Sequence, residues 1–158
     1  TDGQVLTSTG AGSPPAFESV AAGGKILQVV EATSNTTVTT SGGTESDLLT
    51  ISITPASSSN KVLIFCSFTG EVQNGSSNAY AWVRVYRGTA SGTKIIHLID
   101  GQADSHWTYV AISGQKLDSP STSSAQTYTM TIARASSGTT SVSSNGTDYY
   151  LHALEVAA

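Results

Sequence analysis

Three histidines, His97, His106 and His152, are the natural candidates for a metal site. No two of them stand at the i, i+2 strand spacing or the i, i+4 helical spacing that would bring them together on one element. No metal centre and no cofactor are expected. With 25 Ser in the chain, a Ser, a His and an Asp occur somewhere by composition alone, and no Gly-x-Ser-x-Gly elbow is present. The carboxylate pairs that could hydrolyse a glycoside, Glu45 with Asp47 and Asp100 with Asp104, lie in turn-like stretches. Solvated acids and turn caps are the ordinary occupants there. The lone Cys66 sits in the apolar run Val62 to Phe68, where a small buried hydrophobe is the usual role, and it has no second cysteine to pair with. These residues describe a protein that is not an enzyme.

Binding chemistry is better represented. Sugars stack on exposed aromatic faces and hydrogen-bond to Asp, Asn and Gln, so a site needs loops that carry both types. The stretch Asp104-Ser105-His106-Trp107-Thr108-Tyr109 offers all of these, which makes Asp104, His106, Trp107 and Tyr109 candidate ligand-binding residues. The competing reading starts a strand at Trp107 and packs Trp107 and Tyr109 in the core. The turn from Asn74 to Asn78 is an exposed tip with two further candidates, Asn74 and Asn78. Tyr80, Trp82, Arg84 and Tyr86 alternate onto one face of a strand. Aromatic and Arg residues favour interface cores, so this face is either an inter-subunit surface or an ordinary sheet face.

The elements that must position these groups are strands. Of 158 residues, 47 are Ser or Thr and 15 are Gly, whereas charged residues make up 11%. A polar surface built this way suits strands and tight turns better than helices. The formal charge of −4, with seven scattered cations, removes the basic footprint that nucleic-acid binding needs. No apolar run approaches the roughly 20 residues of a membrane span, so no membrane insertion is expected. Residues 1–24 read as an extended Gly/Pro-rich connector with few large apolar groups: Val5, Leu6, Phe17 and Val20. Such composition is that of a flexible linker; as an extended chain it could bury those side chains only against copies of itself or against the following domain.

A domain over 25–158 follows. Lys25–Glu31, Thr36–Thr40, Asp47–Thr54, Lys61–Phe68, Ala79–Arg87, Lys94–Ile99, Tyr109–Ile112, Thr127–Ala133 and Tyr149–Val156 read as strands. The continuous apolar run Lys61–Phe68 suits a strand covered on both faces. Asn74-Gly75 predicts a hairpin, and 100–108 reads as the most loop-like insertion. Short strands at such spacing predict an all-β fold, an antiparallel β-sandwich of jelly-roll type preceded by the connector.

The opening Gly3-Gln4-Val5-Leu6-Thr7-Ser8-Thr9-Gly10-Ala11-Gly12-Ser13-Pro14-Pro15-Ala16-Phe17 resembles a connector that recurs in bacteriophage tail-fibre and related virion proteins of marine and cyanobacterial phages. Phe17 stands where that pattern commonly has Trp. Gly24–Val30, Ile53–Ile64, Asp118-Ser119-Pro120 and Leu154–Ala158 are similar to stations of the C-terminal head domain of such fibres. The resemblance implies a virion surface appendage: a homotrimer joined to other virion tail or capsid proteins, whose β-rich head attaches to host cell-surface polysaccharide. Val5, Leu6, Phe17 and Val20, with Tyr80, Trp82, Arg84 and Tyr86, would then form the oligomer interface. Two alternatives share the fold. One is a capsid decoration or baseplate protein without a receptor, and the other is a monomeric carbohydrate-binding module of a secreted bacterial enzyme.

Overall fold

A computed structural model describes residues 4–8, 10–19, 25–41, 43–73, 79–103, 107–134, 139–142 and 146–158. Among them are twelve strands and no α-helix. They are β1 (Gln4–Thr7), β2 (Ala16–Ser19), β3 (Ile26–Ser34), β4 (Val38–Thr40), β5 (Ser46–Ile53), β6 (Lys61–Gln73), β7 (Ala79–Arg87), β8 (Thr93–Ala103), β9 (Trp107–Asp118), β10 (Gln126–Arg134), β11 (Thr139–Val142) and β12 (Tyr149–Val156).

All pairings are antiparallel, and two sheets pack as a sandwich. The smaller sheet has the order β5-β10-β7-β8. The larger is organised by β6. On one edge of β6, β12 pairs with Lys61 to Ser67 and β11 continues along Gly70 to Gln73; β9 runs the length of the other edge. Beyond β12 lies β3, and beyond β11 lies β4.

Alternation decides which side chains enter the core, because successive residues of a strand point to opposite faces. Leu49, Ile51 and Ile53 of β5, Tyr128, Met130 and Ile132 of β10, and Val83 and Val85 of β7 meet Val62, Ile64, Cys66 and Phe68 of β6 between the sheets, all of them buried. At Gly114 of β9 an added Cβ would stand 2.8 Å from Cδ1 of Leu98 on β8, so the missing side chain is what lets the two sheets close there.

Three expectations change. The chain passes from β6 to β7 between sheets: β6 pairs with β9, β11 and β12, and β7 with β8 and β10, so no hairpin joins β6 to β7 across Asn74-Gly75. Within 100–108 the described residues, 100–103 and 107–108, are strand. β8 runs on through Ala103, held by Ala81↔Asp100 and Ala79↔Ala103 pairing, and β9 opens at Trp107. The run Lys61–Phe68 is central but covered by its own chain on one face only, which leaves Leu63 and Phe65 half-buried and Ser67 exposed.

The described part of the connector, 4–8 and 10–19, is extended and turns back once. β1 and β2 pair with Leu6 opposite Phe17 and Val5 opposite Glu18. The turn is closed by Ser13 N–H donating to the Gly10 carbonyl at 3.3 Å, and Gly10 and Gly12 supply positive φ. Leu6 and Phe17 are 61% and 69% exposed.

Glu155 fastens the open end of the sandwich. Its side chain is buried and accepts from Asn60 Nδ2 at 2.6 Å, from Ala56 N–H at 2.7 Å and from Gln28 Nε2 at 2.6 Å. Three segments distant in sequence thereby meet on one carboxylate. Burial alone would raise the carboxyl pKa, but the donors Asn60, Gln28 and Ala56 outweigh it and hold it below its ordinary value of 4.5. The unfolded chain therefore takes up the proton first. The stabilisation is complete above about pH 4.5 and is lost as the pH falls through the folded-state value. Glu155→Gln turns an NH2 group toward a donor and is expected to destabilise the fold by about 2 kcal/mol. It should also flatten the acid limb of stability, which urea unfolding at several pH values measures.

Candidate functional site

The register of the larger sheet lays its outer side chains out as a grid. Gln115 of β9, Phe65 of β6, His152 of β12 and Glu31 of β3 form one row. Ser113, Ser67, Tyr150 and Thr33 form the next. Where the short side chains of Ser67 and Ser113 lie between larger neighbours, the sheet surface sinks into an open trough of about 430 Å³. Phe65, Gln115, Tyr150 and His152 wall it, with Cys66 and Gly114 at its base. That volume falls in the range of small-ligand sites.

The trough is lined mainly by apolar surface, with polar groups set into it. Ser67, Ser113 and the Gln115 amide offer hydroxyl and amide hydrogen bonds, and Tyr150 adds an aromatic ring, 38% exposed as a residue. The Tyr150 hydroxyl donates to Asp148 Oδ2 at 3.3 Å, and desolvation, with the Asp148 carboxylate beside it, pushes the phenol pKa up. The Tyr150 and His152 rings lie 6.0 Å apart at 54°, while His152 Nε2 stands 3.5 Å from Glu31 Oε2. A flat ring beside hydroxyls and an amide matches a polyol such as a sugar, whose ring faces are apolar and whose edges are hydroxyls. Nucleophilic chemistry is not available from Cys66. Its Sγ is buried and donates to the Gly114 carbonyl at 3.7 Å, and burial pushes the thiol pKa up to about 11.

Of the binding residues expected from sequence, Tyr109 is 64% exposed and shares the outer face of β9 with Ser113 and Gln115. Ser113 lies four residues further along, about 13 Å at strand rise. Trp107 is a strand residue opposite Gln73. Asp104, His106, Asn74 and Asn78 lie outside the described residues, as does Val20 of the connector. The sequence reading missed the trough because its residues come from β6, β9 and β12, and only their register unites them. The available signal was the interruption of the apolar run by Ser67, with Tyr150 and His152 two apart on one face.

The face of Trp82, Arg84 and Tyr86 belongs to the smaller sheet, and its own chain occupies it. Glu45 accepts from Arg84 Nη1, from Tyr86 Oη at 2.6 Å and from Thr131 Oγ1. The Arg84 guanidinium lies over the Trp82 ring at 4.1 Å, and His97 meets that ring edge-on at 6.1 Å. Burial works to raise the Glu45 pKa, but the Thr131, Tyr86 and Arg84 contacts prevail and lower it. His97 is held below its ordinary value by burial and by the charges of Arg84 and Lys94. Tyr86 is 5% exposed, so it and Arg84 are already committed within the chain. Glu45 is likewise engaged with a cation and two hydroxyls instead of facing a second carboxylate. Among the described residues no three His, Cys, Asp or Glu side chains gather as a metal site.

No family model matches the chain, and no curated protein is similar to it. Among solved structures, a protein of the infectious bursal disease virus Gx strain is similar over 98% of this chain and 43% of its own, at 11% identity and a TM-score of 0.47. The VP2 subviral particle of that virus is similar over the same shares at 11% identity and a TM-score of 0.42. A subunit of the disulfide-linked pili that form Bacillus endospore appendages is similar over 89% of this chain and 98% of its own, at 13% identity and a TM-score of 0.38. The chain thus spans about two fifths of the viral proteins it is similar to. At these scores the likeness assigns no function.

Native protein is expected to react with a thiol-specific disulfide reagent at pH 8 at least a hundredfold more slowly than guanidinium-unfolded protein, because Cys66 is both buried and protonated there. Stopped-flow absorbance of the released thiolate measures both rates.

Proposed function

We propose that this chain is a virion surface appendage of tail-fibre type that adheres to host polysaccharide, and that it acts by binding and not by turnover. The observation that carries the proposal is the trough on the exposed face of the larger sheet. It carries the hydroxyls of Ser67 and Ser113 and the Gln115 amide beside the Phe65 ring, and is flanked by the Tyr150 ring. The resemblance of the opening residues and of the strand stations to phage fibre heads supports the same reading. A single shallow site of this kind binds weakly, and adhesion comes from several copies acting together. In this reading the chain assembles as an oligomer on the virion, joined through the connector end to other tail or capsid proteins.

The test is binding of the full chain to an array of bacterial surface polysaccharides. Tyr150→Ala is expected to weaken binding to its preferred polysaccharide roughly tenfold, the equivalent of about 1.4 kcal/mol of lost stacking. The melting temperature should be unchanged, because the ring lies on the outer face. Raising salt from 0.05 to about 0.5 M should change binding little, since the groups that would hold the sugar, Ser67, Ser113, Gln115 and the Tyr150 ring, carry no charge. Retention of full affinity in the folded Tyr150→Ala protein would refute the trough as the receptor site. Failure of the wild type to bind any polysaccharide would favour a purely structural virion part.

A further inference from the structure

The trough holds more apolar surface than a plain sugar ring uses. Two aromatic side chains contribute to it from different rows of the sheet. Tyr150 lies in the row of Ser67 and Ser113, whereas Phe65 lies one row away, between Gln115 of β9 and His152 of β12. Phe65 and Tyr150 are thus diagonal neighbours on adjacent strands, with Cβ atoms about 7 Å apart. A sugar resting over Ser67 and Ser113 meets one ring on each of two sides. Its apolar face is satisfied by the first ring, Tyr150, and its rim is made of hydroxyls. A plain hexose would therefore press a hydroxyl toward Phe65, where the group loses water and gains no partner. The second ring asks for an apolar substituent on the sugar's rim.

The neighbour of Phe65 specifies what else that substituent carries. Gln115 stands directly opposite Phe65, with Cβ atoms about 5 Å apart, and is exposed. Its amide offers a donor and an acceptor in one plane. The complement of an aromatic ring beside an amide is a group with a methyl, a carbonyl and an N–H held together, which is an acetamido group. A carboxylate on the rim is served poorly: no Lys or Arg lines the trough, and His152 Nε2 is 3.5 Å from Glu31 Oε2.

We propose that the trough selects sugars that carry an acetamido group. This rests on the reading of the trough as a polysaccharide site and names the class of sugar it takes. Tyr150 stacks on the ring face, and Ser67 and Ser113 take ring hydroxyls. Phe65 receives the acetamido methyl, while Gln115 Nε2 donates to the acetamido carbonyl and Gln115 Oε1 accepts from its N–H. Selection arises because the parent hexose leaves both the Phe65 ring and the Gln115 amide without a match.

The experiment is binding of the full chain, by biolayer interferometry, to polyacrylamide polymers that display N-acetylglucosamine, N-acetylgalactosamine or N-acetylmannosamine. Each is compared with the polymer displaying the parent hexose. At least one acetamido polymer is expected to bind roughly tenfold more tightly than its parent. Replacing its N-acetyl by N-formyl groups, which removes only the methyl, should weaken binding about fourfold. Gln115→Leu, on the outer face, should keep the melting temperature and narrow the acetamido-to-hexose ratio. Tyr150→Ala should instead weaken both polymers and leave the ratio in place. Three results overturn the proposal: no binding to any acetamido polymer, binding equal to that of the parents, or an undiminished ratio in folded Gln115→Leu protein. Binding to bacterial polysaccharides that depends on Tyr150 is read separately, so a protein that keeps it and shows no acetamido preference overturns this inference alone.

Discussion

Everything in the larger sheet is registered against β6. Its thirteen residues offer one edge to β9 and divide the other between β12 and β11, so its alternation fixes the inward or outward sense of three neighbours at once. A slip of one residue along β6 would send Val62, Ile64, Cys66 and Phe68 to the outside and bring Leu63, Phe65 and Ser67 in. The inward set is fully apolar and the outward set changes character along the strand, from Leu63 through Phe65 to Ser67 and Thr69. The same strand thus sets both the core and the trough.

The two outer faces of the sandwich solve the same problem differently. On the smaller sheet Thr129 and Thr131 of β10 are buried although they point away from the core, because Tyr86 and Arg84 fold across them toward Glu45. Three hydroxyl- or nitrogen-bearing side chains converge on one carboxylate there, and the Trp82 ring backs the cation. The larger sheet has no such cover. Its short Ser residues leave a depression, and Val29 and Leu117 meet solvent. A face that satisfies itself is a poor place to bind, whereas a face left with polar and apolar groups side by side has surface to offer.

Alternation made much of the interior legible. Leu49, Ile51 and Ile53, and Tyr128, Met130 and Ile132, point inward as their spacing requires. What the spacing does not carry is which strand lies next to which. Asp100, Gly101 and Gln102 look like loop residues because their types favour turns, yet pairing with β7 across a register shift holds them in β8. Asn74-Gly75, outside the described residues, has the composition of a tight hairpin, but the strands on either side, β6 and β7, belong to different sheets. Tyr86 could be read as interface or as sheet face from its alternation, and only Glu45, forty-one residues away in sequence, decides that it is occupied. The trough lay beyond reach for the same reason, since it is assembled across strands from distant parts of the chain.

The hydrogen bond from Ala157 N–H to the Lys25 carbonyl, 2.9 Å long, places the first and last residues of the sandwich side by side. Ala158 N–H reaches Asn60 Oδ1 beside it at 3.3 Å. Pulling on the chain at these two points would load this joint and the β3–β12 ladder in peeling, one hydrogen bond at a time, instead of shearing the whole sheet at once. A particle tethered through residue 25 alone avoids that geometry, because the force then enters at a single strand end while β12 stays clamped by Glu155. By this geometry, opening the domain from residues 25 and 157 together would take less force than loading it at one of them against its exposed face.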